Sequence, residues 1–291
     1  MPDPVRWQRP AAVVDLLPSG AWLVGGMDFD TSQSPTQREK EAKVRAHPDS
    51  VRNATGGCEI PADHAAVAAY GDDNFAFATR GVFQPAAMIS CLGDVAIHNG
   101  STVRHETIEG YDVLVTKNNS GPMLYAASDS GILMMANEAV MQRSLAVELQ
   151  PATADPALAP LIARARAGGE VWAAARLPPN ASYVKEVLGV LGVKLDGHVM
   201  TAIAWIHIMP PFHIEVELAL EQAGDATRLA AALEQKRLLF ATLDARLKPI
   251  ADSLHIQADG ARVTVVGNPE HVEWLQAFQA LLATIALLKQ L

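Results

Sequence analysis

Cysteine is scarce: the 291-residue chain has two, Cys58 and Cys91. That excludes a small domain held by a disulfide framework and a zinc site made of four cysteines. Basic residues are few and dispersed, 23 Lys and Arg against 32 Asp and Glu, for a net charge of −9. Without a basic block the chain is a poor nucleic-acid binder, because phosphates call for clustered cations. The most apolar run, Leu275 to Leu288, is interrupted by Gln276, Gln279 and Thr284 and is shorter than the roughly 20 residues a bilayer span needs. It reads as a packed helix, with a partner or membrane-surface helix as the alternative. Motifs are scarce too. There is no GxGxxG, P-loop, CxxC or GxSxG, and His105-Glu106-Thr107-Ile108 is followed by Glu109 where a zinc-protease helix needs histidine.

What is present is ordinary globular composition, 49% apolar and 19% charged, which excludes a disordered or coiled-coil protein. Strands are expected at Ala21–Phe29, Asn74–Arg80 and Glu109–Val115. Met123–Ala127 and Ile132–Ala136 suit a hairpin around Ser128-Asp129-Ser130-Gly131. Helices are expected over Ser34–Arg45, Gln84–Leu92 and Asn137–Leu145, the last capped by Asn137. A Pro-containing stretch, Gln150 to Leu158, reads as a linker. Beyond it come a helix from Pro160 to Ala167, a strand at Glu170–Arg176 and a helix at Tyr183–Leu191. Long strands follow at Thr201–Met209 and Phe212–Leu220, then a periodic helix capped by Asp225 and a hairpin turning at Ala258-Asp259-Gly260.

The two halves rhyme. Each opens with a strand carrying a tryptophan, Trp22 and Trp172. Each closes with a hairpin, an asparagine (Asn137, Asn268) and a helix. The expected fold is therefore α+β, with two tandem related modules, residues 11–149 and 159–291. Each is expected to be a mainly antiparallel sheet with helices packed on one face.

Cys58 precedes a predicted strand and Cys91 lies on a predicted short helix. They are either a disulfide, closing a loop of roughly 33 residues worth about 3–4 kcal/mol, or two buried thiols. A disulfide implies an oxidising compartment. No apolar signal-peptide core follows Met1 to Trp7, and removal of a signal would leave the same start.

Three stretches carry a resemblance. They are Leu16–Asp28, Gly57-Cys58-Glu59-Ile60 and Glu106–Val113. They resemble uncharacterised envelope proteins and lipoproteins of myxobacteria-like bacteria, mainly across about 130 residues of the first half; the second half departs from the pattern. The resemblance implies an upstream signal or lipobox and a periplasmic or cell-envelope location, the cytoplasm being the alternative. It implies no activity and assigns no catalytic residue.

The best polar cluster is on the long strands. His213, Glu215 and Glu217 share a face by period two, and His207 lies across a short turn. Imidazoles beside a carboxylate suit a metal or a general base, so His207, His213 and Glu215 are the candidate metal set. A solvated sheet face is the plainer reading. His98, Asn99 and Asn118-Asn119 are read as loop residues, Asp28 and Asp30 as a solvated strand end, and Met134, Met135 and Met141 as core. No cofactor is expected. Three functions stay open: a non-catalytic envelope binding or scaffold protein, a hydrolase or metal-dependent enzyme using the His/Glu cluster, and a carrier of a lipid or small apolar ligand.

Overall fold

The computed structural model describes residues 7, 12–28, 58, 62–71, 74–119, 121–146, 148–179, 181–208, 211–243 and 248–268. The expected helices at Ser34–Arg45 and Leu275–Leu288 lie outside them, as does Asp30. The fold is α+β with antiparallel strands, and contacts divide the chain into unit 1, Met1–Ala159, and unit 2, Pro160–Leu291. Among the described residues no helix is long and apolar enough to cross a membrane.

Unit 1 contains a 3-10 turn, Val13–Leu16, and strands β1 (Leu23–Asp28), β2 (Ala62–Ala69) and β3 (Phe75–Gly81). Helix α1 (Pro85–His98) follows, then β4 (Thr102–Ile108), β5 (Tyr111–Asn118), β6 (Gly121–Ala127), β7 (Ile132–Ala136) and α2 (Glu138–Leu145). The strand order is β1-β2-β3-β7-β6-β5-β4. Val24, Ala68, Ala76 and Ala136 form one cross-strand row, and all four are buried. Residues directly opposite one another share a face, so this row marks a core face. The 3-10 turn and α2 contact the strands that carry it. On the other face α1 buries Met88, Ile89 and Leu92 against Leu114 and Leu133. Pro85 suits the first turn of α1, where its missing N–H has no helical partner to lose.

Unit 2 contains α3 (Ala159–Gly168), which starts at the boundary, then β8 (Val171–Arg176), α4 (Ser182–Leu191), β9 (Val199–His207) and β10 (His213–Leu220). It continues with α5 (Ala223–Leu243), α6 (Lys248–Ser253), β11 (Leu254–Asp259) and β12 (Arg262–Gly267). The order is β11-β12-β10-β9-β8. Val199, Leu220, Ala226, Leu229 and Val263 make the core, flanked by Leu188 and Leu191 of α4 and Leu233 of α5. Helix α3 touches the opposite face. A Cβ on Gly168 would overlap the Trp205 indole, and the Arg166 guanidinium sits 5.7 Å from the centre of the Trp172 ring. Helices thus cover part of both faces, because β8 and β9 are apolar on both.

The strand orders correspond. Without the β4–β5 hairpin, unit 1 runs first, second, third, fifth, fourth, and so does unit 2. In both, a helix follows the third strand.

Several local expectations change. Helix α1 continues to His98, and neither β4 nor α6 was expected. Asn137 occupies the position before α2 but makes no side-chain cap; its Oδ1 accepts from the Phe75 amide at 2.7 Å instead. Asp225 lies inside the first turn of α5, and its carboxylate serves a neighbouring turn. The stretch 150–158 is packed: Ala152 and Leu158 are buried, and the Ala152 amide donates to the Leu17 carbonyl at 2.8 Å.

Candidate functional site

The predicted cluster sits on the β9–β10 hairpin of unit 2. Alternation along β10 puts His213, Glu215 and Glu217 on one face, and the register sets His213 opposite His207, Glu215 opposite Trp205 and Glu217 opposite Ile203. The two imidazoles are therefore cross-strand neighbours, as their parity suggested. Their hydrogen-bonding atoms point to different partners. His207 Nδ1 donates to Glu170 Oε1 at 2.8 Å, and Glu170 Oε2 accepts from the Ile208 amide at 2.9 Å. His213 Nδ1 lies 2.8 Å from Asn268 Oδ1, and its Nε2 lies 3.4 Å from Glu215 Oε2. Glu217 takes both terminal nitrogens of Arg164, one at 2.9 Å. This bidentate pairing is the favoured geometry for arginine and a carboxylate.

The face is thus a row of mutually engaged polar side chains. Among the described residues no group of three His, Cys, Asp or Glu is placed to hold a metal ion. His207, His213 and Glu215 share a face without forming such a group, because Glu170 draws His207 to one side and Asn268 draws His213 to the other.

The remaining candidates spread out. Asp28 pairs with His64 directly across β1 and β2, at 3.2 Å. His98 ends α1 and Asn99 follows it. Asn118 closes β5 opposite Gly121. Met134 and Met141 are buried core, and Met135 is half-buried.

Sequence reasoning missed Glu170 and Asn268 as partners of the histidines, and Asp225 as a buried acceptor. Glu170 immediately precedes Val171, which pairs with Ile206. Only that register reveals that Glu170 borders His207. Asp225 is fully buried and accepts from the amides of Asp196 at 3.0 Å and Gly197 at 2.8 Å, with Arg228 as its ion-pair partner. Burial works to raise its carboxyl pKa, but those amides and the guanidinium together hold it below the ordinary value.

Unit 1 holds the most consolidated feature. The Cys58 and Cys91 sulfurs are at bonding distance with Cα atoms 5.9 Å apart. Cys58 is buried in the cluster with Met88, Ile89 and Leu92, and Cys91 packs against it. Comparison with family models, curated proteins and solved structures gives no match.

Proposed function

We propose that the chain is a non-catalytic binding or scaffold protein of an oxidising cell-envelope compartment, built from an internally duplicated α+β module. The observation that carries the location is the Cys58–Cys91 pair within the α1 core, since such bonds persist where thiols are not kept reduced. The resemblance of the first half to envelope proteins supports the same placement. The shared strand order supports the duplication. The non-catalytic reading rests on the pairing of His207 with Glu170 and of His213 with Asn268, which commits these side chains to holding strands together.

Fractionation of the cells that make the protein tests the location, with recovery in the envelope fraction expected and recovery in the cytosol overturning it. Elemental analysis of protein purified without chelator tests the competing metal-enzyme reading. Wild type and a His207→Ala/His213→Ala variant are expected to carry equal, substoichiometric metal. One bound ion per chain, lost in the variant, would replace the proposal with that reading.

A further inference from the structure

Strand β11 ends the order of unit 2 and, among the described residues, pairs with β12 alone. Its register is continuous from Leu254 to Asp259. It holds no proline, lysine or arginine, the residues that commonly guard a sheet edge. His255, Gln257, Ala258 and Asp259 are exposed. The Asp259-Gly260-Ala261-Arg262 turn closes on the Asp259/Arg262 pair. His255, Gln257 and Asp259 therefore direct their main-chain groups to β12, while Leu254, Ile256 and Ala258 direct theirs outward.

We propose that β11 is a self-docking edge that pairs antiparallel with β11 of a second copy of this chain, centred on Gln257. Charge complementarity selects this occupant and register. About Gln257 the outward-facing groups of Ile256 meet those of Ala258 in the other copy, which is the phase hydrogen bonding requires. The same register sets His255 opposite Asp259 twice over, an imidazole against a carboxylate on the exposed face. Shifting the centre to Ile256 sets His255 opposite Gln257 and leaves both Asp259 side chains without a partner in the other copy, opposite only their own Arg262. The edge of unit 1 is different. In β4, Arg104 is already paired with Glu106 at 2.6 Å and His105 with Asp112 at 3.1 Å. Homotypic pairing about the middle of β4 would set His105 against itself.

Sedimentation of the full chain over a concentration series reads the association, and charge exchange reads its register. His255→Asp and Asp259→Lys are each expected to weaken dimerisation by about two- to thirty-fold, because two symmetry-related pairs are lost. The double variant is expected to restore it. Gln257→Cys is expected to cross-link to its own copy under mild oxidation, with Val187→Cys on α4 as the non-dimerising control. A chain that stays monomeric throughout overturns the proposal. So does a dimer indifferent to both charge changes, or cross-linking at residue 257 no faster than at 187.

Discussion

The two units carry one strand order but finish it differently. In unit 1 the asparagine after the last strand, Asn137, accepts from the main-chain amide of Phe75, the first residue of the third strand. In unit 2 the equivalent Asn268 meets the side chain of His213, again the first residue of the third strand. The same residue type does the same topological job, tying the closing strand to the third. The first tie is partly buried and uses the backbone, while the second is exposed and uses a side chain. Unit 1 has alanine rows, a β4–β5 hairpin and a cysteine pair under α1. Unit 2 has a polar row of His213, Glu215 and Glu217, and its buried carboxylate, Asp225, fastens α5. One strand order thus accommodates a sealed finish in unit 1 and a polar one in unit 2.

The largest expected effect breaks the comparison on the unit 1 side. Cys58→Ser/Cys91→Ser is expected to lower stability by about 3–4 kcal/mol through restored unfolded-chain entropy, read as a fall in denaturation midpoint. Reductant should reproduce that fall in the wild type and leave the variant unmoved. On the unit 2 side, Asp225→Ala is expected to cost about 2–3 kcal/mol, because the Asp196 and Gly197 amides lose their acceptor. The pH dependence has a definite sign. A carboxylate held below its ordinary value adds stability above that value and loses it as pH falls through the folded-state value. Asp225→Asn should therefore differ most from wild type near neutrality and converge with it in acid, as measured by urea denaturation at a series of pH values.

A sharper contrast comes from the asparagines. Asn137→Ala is expected to cost about 1–2 kcal/mol, since a partly buried amide loses its acceptor, whereas Asn268→Ala should cost less than about 0.5 kcal/mol. Equal losses would erase the distinction between a sealed and an open finish. Of the same small size is Glu170→Gln, which weakens a half-exposed pair with His207 and is expected to change stability by less than about 0.5 kcal/mol.

Much of this frame was legible before any coordinates. The β9–β10 and β11–β12 hairpins announce themselves by alternation and by turn residues such as Asp259-Gly260. The shared face of His213 and Glu215 follows from parity, and the closeness of His207 to His213 follows from the short connection. Strand β4 was not legible, because it is an edge strand with mixed exposure and its residues, Thr102 to Ile108, lack a clean apolar alternation. The continuation of α1 past Leu92 to His98 crosses Gly93, a residue of weak helix propensity. Gly93 brings the helix backbone close to Leu114 and Val103, within 3.9 Å of where a Cβ would lie. Asn137 and Asp225 looked like helix caps because capping is the commonest local use of those residues. Their actual acceptor roles span 62 and 28–29 residues of sequence, which no local pattern can encode.

A sealed first unit in an oxidising compartment requires Cys58 and Cys91 to be bonded in the cells that make the protein. Acid quenching, alkylation without reductant and peptide mass spectrometry read that bond in one step. A linked Cys58–Cys91 peptide that separates only after reduction is the predicted result, whereas quantitative alkylation of both cysteines in the folded protein would contradict the sealed first unit and the oxidising location together.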